Sequence, residues 1–377
     1  MDIVYQYTGI IDAKSGWKYL PSEEGKMTYI PFEGIYESKG GRIESPRFSL
    51  DKEKDQATFY LLSFSSQAAV QGYWWVDFFD KDGNPLPDIN SAFYPSEQPM
   101  VQDAVLFATP EAVTATIAFV FKSGITVRDV QLKKITREYA AEWCDKLFAT
   151  LPKADFPVPH DAFDLLPKTK AALNNGSLWR IVMLGDSIVN DTWCSNFQAL
   201  VMRDFPRANL DFHISMRGCT GAWFYCEKNN FSEYVARYKP DLVMIGGISN
   251  PGENENVTDP EIPLRSLILQ CRELGAEVVV MSPPPSKKWR KGVEPEMWSE
   301  NWLHPDGSTP LRSDFERKAT AVTQTAFWDI TTVPCNILST CPQESSWFSR
   351  DRTHNNDRGK QLIGRTLAAC FRAAKEE

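Results

Sequence analysis

Two short segments of the sequence contain residue types that could together carry out nucleophilic catalysis. The sequence GDS at 185–187 directly follows an apolar run, and the sequence DRTH at 351–354 places Asp351 three residues before His354. A serine hydroxyl is a weak nucleophile at neutral pH unless a base removes its proton. In a Ser-His-Asp arrangement the imidazole removes that proton and the carboxylate orients the imidazole. Ser187 is therefore the candidate nucleophile, His354 the base and Asp351 its orienting carboxylate.

The sequence around Ser187 predicts a turn between a strand and a helix. The run IVML at 181–184 is typical of a buried parallel strand, and Gly185 allows a tight turn into a helix that we predict to begin near Asp191. Open α/β sheets form their active sites at this carboxyl edge of the strands. The alternative is that Ser187 only caps the helix, and that the DxxH segment is an exposed polar turn.

The other three histidines are weaker candidates for the base. His213 lies within a predicted strand, where a hydrogen-bonded core residue is the simpler interpretation. His160 lies in a connector that contains several prolines, and His304 lies in a long loop. By contrast, His354 directly precedes the last predicted helix, which places it at the same edge of the sheet as Ser187.

Five apolar runs alternate with helical patterns in the second half of the chain. The runs are 181–184, 210–214, 242–245, 278–281 and 326–330, and the helical patterns are roughly 192–203, 229–238, 262–274, 311–325 and 358–373. Such alternation predicts a parallel sheet with right-handed crossovers and helices on both faces. Five strands suit the flavodoxin-like order.

Two more loops at the predicted carboxyl edge contain glycine and asparagine. The sequence RGCTG at 217–221 follows the second strand, and GGISNPG at 246–252 follows the third. Glycine allows a backbone N–H to approach an oxyanion, and an asparagine amide is a second donor. Four edge loops that carry Ser, Gly, Asn and Asp/His in this order rarely arise by chance.

In these four blocks the sequence resembles the SGNH hydrolases, also called GDSL-like esterases. The resemblance spans about 168–377. It implies that Ser187 is the nucleophile, that His354 acts first as base and then as acid, and that Asp351 orients His354. The chain departs from the usual motifs at Ile188, where leucine is common, and in the third block, which lacks the acidic residue that usually follows asparagine.

The same resemblance implies an oxyanion hole. Its donors would be the N–H groups of Ser187 and Gly221 and the side-chain amide of Asn250. Gly218 is an alternative to Gly221, since either glycine could supply the backbone N–H.

Several residues near this edge are candidate substrate contacts. The long segment 283–310 interleaves basic residues with tryptophan and could hold an anionic sugar, although a solvated loop with packed tryptophans is the alternative. The candidate contacts are Asp186, Asp191, Trp193, Arg217, Trp289 and Trp302.

Residues 1–137 predict an all-β domain. Turn residues recur at short intervals, and segments such as 113–121 alternate between apolar and polar positions. This pattern predicts a sandwich of jelly-roll type, which resembles the carbohydrate-binding-like domains of polysaccharide esterases. Of the adjacent Trp74 and Trp75, one should face outward and could stack on a sugar, unless both are buried and the domain is only structural. The pattern at 138–167 predicts a helical, proline-containing connector. We expect the catalytic domain to span 168–377.

Composition excludes several classes of protein. The chain has 377 residues, a formal net charge of -8 and a pI of about 5.3, which argues against a nucleic-acid-binding protein. No apolar run approaches the roughly 20 residues of a membrane helix.

Scattered histidines indicate no metal site, and the proposed chemistry requires no cofactor. Eight cysteines form no CxxC pair; Cys219 with Cys226, and Cys335 with Cys341, could be bridged or remain free thiols.

The sequence thus predicts a serine esterase that removes O-acyl groups, above all O-acetyl groups, from a polysaccharide or oligosaccharide. The alternatives are a lipid or aryl esterase with the same triad, and a non-catalytic glycan-binding protein with a degenerate hydrolase domain. A polysaccharide substrate predicts an extracellular or periplasmic location. The start MDIVYQ has no leader-like pattern, so we expect that any leader has been removed from this sequence.

Overall fold

The chain divides into two compact units, Met1–Ala140 and Ala141–Glu377. The computed structural model describes residues 1–11, 15–23, 26–27, 30–31, 41–52, 56–69, 71–121, 125–248, 259–285, 313–343, 347–351 and 353–375.

The first unit is built from two antiparallel sheets. Its described strands are β1 (Asp2–Ile10), β2 (Lys18–Glu23), β3 (Lys26–Met27), β4 (Ile30–Pro31), β5 (Gly41–Glu44), β6 (Phe48–Ser49), β7 (Thr58–Ala68), β8 (Gly72–Phe79), β9 (Ile89–Phe93), β10 (Ser96–Ala108), β11 (Thr114–Phe121) and β12 (Ile125–Ile135). One sheet has the order β1-β12-β7-β10 and the other the order β3-β2-β5-β11-β8-β9, with β4 on β2 and β6 on β11. Consecutive strands such as β7 and β8, β9 and β10, and β11 and β12 lie in opposite sheets. The predicted jelly-roll sandwich is therefore confirmed.

Aromatic side chains fill the space between the two sheets. The ring of Phe64 on β7 lies 4.8 Å from that of Phe119 on β11 and 6.0 Å from that of Phe93 on β9, measured between centroids. Along β8 the buried residues alternate with half-buried ones. Trp74 is 3% exposed and belongs to this core, whereas Trp75 is half-buried on the other face beside Tyr73. The alternation therefore separates the two tryptophans, as a strand with one core-facing side requires.

The second unit contains one parallel sheet with the order β14-β13-β15-β16-β17. Its strands are β13 (Leu178–Gly185), β14 (Asn209–Met216), β15 (Leu242–Gly246), β16 (Glu277–Met281) and β17 (Ala326–Trp328). The described helices are α1 (Arg137–Phe148), α2 (Pro167–Asn175), α3 (Ser187–Trp193), α4 (Phe197–Asp204), α5 (Ala222–Tyr225), α6 (Lys228–Tyr234), α7 (Glu261–Glu273), α8 (Asp314–Thr323), α9 (Thr332–Thr340) and α10 (Asp357–Arg372). This order confirms the predicted flavodoxin-like sheet.

The register of β13 with its two neighbours determines which loops meet at the carboxyl edge. Gly185, the last residue of β13, pairs with Met216 of β14 on one side and with Gly246 of β15 on the other. A Cβ atom at residue 185 would come within 1.8 Å of the carbonyl oxygen of Gly246, so only glycine fits here. The residues that follow these three strands consequently emerge side by side.

Three helices, α2, α5 and α9, and several boundaries were not predicted. The helix expected near Asp191 begins at Ser187, and the strand expected to reach Ile330 ends at Trp328. Asp329 ends that strand because its Oδ1 atom accepts the N–H groups of Thr331 and Thr332, each at 2.9 Å, and so turns the chain into α9. The helices α5 and α9 are too short or too rich in β-branched residues to give a clear helical period.

Two further observations concern the whole described chain. No helix among the described residues is long and apolar enough to cross a membrane. All eight cysteines are free thiols, so neither of the two short-loop disulfides forms.

Candidate active site

The nucleophile turn is capped by Asp186. Its Oδ1 atom accepts the backbone N–H of Ile188 at 2.8 Å, and α3 begins immediately afterwards with Ser187. The alternative that Ser187 itself caps the helix is therefore wrong, because the carboxylate beside it performs this role. Ser187 is half-buried at the first position of the helix, two residues after the end of β13.

The loop after β15 packs closely on this turn. Gly247 has a φ of +57°, in the left-handed region that favours glycine. A Cβ atom at this position would lie 2.3 Å from Oδ1 of Asp186. The glycine of the third sequence block thus allows the backbone to approach the aspartate that caps α3. Asn250, the predicted amide donor of this block, lies outside the described residues.

The segment before α10 forms the predicted pair of imidazole and carboxylate. Nδ1 of His354 lies 3.0 Å from both carboxylate oxygens of Asp351. Oδ1 of Asp351 also accepts the backbone N–H groups of Thr353 at 2.7 Å and His354 at 2.9 Å. Burial alone would raise the pKa of Asp351, but the hydrogen bonds and charges of His354, Thr353 and Arg350 hold it well below its usual value. Asp351 is therefore ionised, and its carboxylate is the acceptor that a proton on Nδ1 of the imidazole would use.

This carboxylate leaves the other imidazole nitrogen available. The Nε2 atom of His354 is buried and has no hydrogen-bond partner among the described residues. A base that receives a proton from serine requires an unprotonated nitrogen of this kind, and catalytic hydrogen bonds often tighten only when substrate binds. The geometry of this segment is that of a general base whose ring is already oriented.

A hydrogen bond connects the segment to the helix of the nucleophile. Oδ2 of Asp191 accepts the backbone N–H of Asn355 at 2.8 Å. Asp191 lies four residues after Ser187 in α3, so the two residues share one face of the helix. The contact therefore brings His354 to the edge of the sheet at which Ser187 lies.

The loop after β14 provides the candidate oxyanion donor. Gly221 is buried and precedes α5, and the next residue, Ala222, donates its N–H to the carbonyl oxygen of Ile248 at 3.2 Å. Gly218 is exposed, and a Cβ atom added there would meet nothing within 4 Å. Of the two glycines, Gly221 is the one that packs against the loop after β15, and we retain it as the candidate donor.

Tyr225 connects this loop to the nucleophile turn, a role that the sequence did not reveal. Its hydroxyl donates to the carbonyl oxygen of Gly185 at 2.6 Å and accepts the backbone N–H of Arg217 at 2.9 Å. The side chain is fully buried. Burial, above all, raises the pKa of Tyr225 far above its ordinary value, so the hydroxyl stays protonated and continues to donate. No motif in the sequence marks this tyrosine, because its partners lie on other strands.

The predicted substrate contacts fall into three groups. Asp186, Asp191 and Trp193 are 4%, 2% and 1% exposed, and their contact with substrate stays a prediction. Arg217 is exposed, and its guanidinium lies 4.5 Å from the centre of the Phe224 ring. Trp289 and Trp302 lie outside the described residues, as does most of the segment 283–310.

The structure also places two of the remaining histidines. His213 is buried in β14 with Nε2 3.0 Å from Oδ1 of Asp211, which confirms its interpretation as a core residue. His160 is exposed in the connector, and His304 lies outside the described residues.

Comparison with known protein families and with curated proteins finds no match. Solved structures that resemble the chain include a Bacillus subtilis protein from structural genomics, at 12% identity and a TM-score of 0.39 over 93% of this chain and 86% of that one. A two-domain esterase active on acetylated mannans has 14% identity and a TM-score of 0.44, over 58% of this chain and 57% of that one. A catalytic mutant of an acetylxylan esterase from Geobacillus stearothermophilus has 16% identity and a TM-score of 0.41, over 53% and 95%. At these values the resemblance assigns no role to any residue of this chain.

A second unusual carboxyl group belongs to α8. Glu316 is completely buried, and neither of its carboxyl oxygens has a hydrogen-bond partner among the described residues. Burial raises the pKa of Glu316 to about 8, and the negative charges of Asp186 and Asp329 act in the same direction. In the folded protein this group is therefore neutral at pH 7.

This burial predicts a specific dependence of stability on pH. In the unfolded chain Glu316 ionises near its ordinary value of 4.5, whereas in the folded chain it keeps its proton up to about pH 8. The folded state binds more protons across this window, so Glu316 lowers the free energy of unfolding as pH rises from about 4.5 to 8.

We expect Glu316→Gln to remove this loss. The variant should match the wild type near pH 4 and exceed its free energy of unfolding by on the order of 3 kcal/mol at pH 7. Chemical denaturation at a series of pH values measures the difference. Parallel curves for the two proteins across that range would contradict a neutral Glu316.

Proposed function

We propose that this chain is a serine esterase of the SGNH hydrolase type, with Ser187 as nucleophile, His354 as base and Asp351 as its orienting carboxylate. One observation carries the proposal: the buried, unpartnered Nε2 of His354, opposite the Asp351 carboxylate, on a segment bonded to the helix that begins with Ser187. This is the arrangement that activates a hydroxyl at neutral pH.

The reaction proceeds through an acyl-enzyme. Nε2 of His354 accepts the hydroxyl proton as the Oγ atom of Ser187 attacks the ester carbonyl carbon. The imidazolium then donates that proton to the departing sugar oxygen, leaving the acyl group on Ser187. Water attacks the acyl-enzyme in the second half, with His354 again taking a proton and returning it to Ser187, and the carboxylic acid is released. Asp351 stabilises the imidazolium in both halves and is not itself protonated.

The negative charge that develops on the carbonyl oxygen requires donors that are already in place. The N–H groups of Ser187 and Gly221, with the amide of Asn250, are the donors that we propose. Tyr225 supports this assignment because its hydroxyl fixes the carbonyl oxygen of Gly185 and the N–H of Arg217, which lie at the bases of the first two loops. Donors fixed before reaction do not need to reorient in the transition state, which is the main source of their effect.

We propose an O-acetylated polysaccharide or oligosaccharide as substrate. At the edge of the sheet, Trp223 and Phe224 are half-buried in α5, two and three residues after Gly221, and the exposed Arg217 lies over the Phe224 ring. Aromatic rings with an adjacent cation suit a sugar ring that carries a carboxylate or sulfate group. The jelly-roll unit, with Tyr73 and Trp75 on one strand face, is consistent with a second contact to glycan. A substrate of this kind implies an extracellular or periplasmic location.

The role of the nucleophile is tested by Ser187→Ala. Removing the attacking oxygen should lower kcat for acetate release from acetylated glycans by several orders of magnitude. The matched control is Ser177→Ala, which changes an exposed serine just before the amino end of β13 and should retain full activity. Acetate release by Ser187→Ala at the wild-type rate would show that Ser187 is not the nucleophile. Faster cleavage of long-chain acyl esters than of acetyl esters by the wild type would favour a lipid esterase.

The role of Arg217 is tested on a pair of substrates. A guanidinium that binds an anionic sugar contributes about 1.5–3 kcal/mol, so Arg217→Ala should raise KM roughly tenfold or more for an acetylated oligosaccharide that carries uronate. The value of kcat should change little, and KM for a neutral acetylated oligosaccharide should stay within about twofold. An equal increase of KM for both substrates would contradict recognition of the anionic group.

A further inference from the structure

We infer that Asp191 is a positioning residue for the general base: its buried carboxylate sets the place of His354 relative to Ser187 by holding the peptide bond between His354 and Asn355. The inference rests on the proposed function, because it assumes that His354 is the base. It assigns to Asp191 a role different from the direct substrate contact that the sequence suggested.

Both ends of one peptide group are held in the structure. The N–H of Asn355 donates to Oδ2 of Asp191 at 2.8 Å. The carbonyl oxygen of His354, which belongs to the same planar peptide group, accepts the N–H groups of Arg350 at 2.9 Å and Asp351 at 3.3 Å. The first bond reaches across to α3, and the other two stay within the His354 segment. Among the described residues, only the bond to Asp191 therefore relates this peptide group to α3.

The remaining freedom of the imidazole is small. The Nδ1 atom of His354 is fixed by the carboxylate of Asp351, whose own oxygens accept two backbone N–H groups of the same segment. The imidazole and its segment therefore move together as one body. A shift of the peptide bond at Asn355 would carry Nε2 of His354 with it, so the bond to Asp191 controls where that nitrogen lies.

A buried ion pair accompanies this hydrogen bond. The Nζ atom of Lys360, in α10, lies 3.8 Å from Oδ1 of Asp191, and the two side chains are 1% and 3% exposed. An ionised acceptor makes a hydrogen bond roughly twice as strong as a neutral one. An unpaired carboxylate would be costly to bury, so Lys360 allows a charged acceptor to exist at this depth.

The effect of losing this acceptor should appear in kcat. Displacing a catalytic group by about 1 Å can lower the rate about 100-fold, even when the mutation does not touch the reacting atoms. The substrate-facing residues remain in place, so KM should change by less than about threefold. A residue that only stabilises the fold would lower the melting temperature and leave kcat per folded molecule unchanged.

The experiment uses the full chain with paired substitutions that leave no buried charge. Asp191→Leu combined with Lys360→Met removes the acceptor and the ion pair together, and such apolar replacements are often neutral for stability. Asp191→Ala with Lys360→Met is a smaller alternative if the first variant does not fold. Asp191→Asn with Lys360→Met restores a neutral acceptor at the same position. For each folded variant, kcat and KM for acetate release and the rate of Ser187 modification by a fluorophosphonate are measured.

A second carboxylate provides the matched control. Glu277 accepts the backbone N–H groups of Lys168 at 2.9 Å and Thr169 at 2.7 Å at the amino end of β16, at the edge of the sheet opposite the site. Glu277→Ala removes a comparable interaction between a carboxylate and the backbone. It should lower the melting temperature while kcat stays at the wild-type value.

The result expected is a fall of at least tenfold, and about 100-fold at full effect, in kcat and in the fluorophosphonate rate for the variants without an acceptor. The kcat of Asp191→Asn with Lys360→Met should be at least tenfold higher than that of the variants without an acceptor. A kcat within tenfold of the wild type in the folded variants without an acceptor would overturn the inference, as would a loss confined to KM. Ser187→Ala in the same assay separates failure of the proposed function from failure of the inference about Asp191. If Ser187→Ala remains active, the proposed function fails.

Discussion

The hydrogen bond between Asp191 and the N–H of Asn355 is the contact on which the geometry of the site depends. It joins residues 164 positions apart in the chain, and among the described residues it links the helix that begins with Ser187 to the segment that carries His354. A parallel sheet delivers both elements to its carboxyl edge, but the edge alone does not set their separation. We propose that this buried, directional bond sets the separation of Ser187 and His354 within the shared edge.

The site also shows how one protein assigns opposite protonation states to its carboxyl groups. Hydrogen bonds and positive neighbours keep Asp351 ionised, as the orienting role requires. Burial without a hydrogen-bond partner among the described residues keeps Glu316 neutral. Because Glu316 is uncharged, it adds no further negative charge to a region that already contains Asp186 and Asp329. The environment of each group, and not its residue type, decides its charge.

Much of the fold could be predicted from local patterns. The strand run at 181–184 and its four successors gave the parallel sheet, since buried strands are short continuous apolar segments. The pairing of Asp351 with His354 was predictable because both residues belong to one short turn. The roles of Tyr225, Asp191 and Glu316 were not predictable, because each depends on partners from distant elements that come together only in the folded chain.

The central claim is that Ser187 is activated by His354, and covalent labelling tests it most directly. The wild-type protein would be treated with a fluorophosphonate, digested, and analysed by tandem mass spectrometry to locate the modified residue. The account predicts one adduct, on Ser187, that forms in parallel with the loss of acetate release. Inactivation with the adduct on another residue, or undiminished acetate release after complete modification of Ser187, would contradict it.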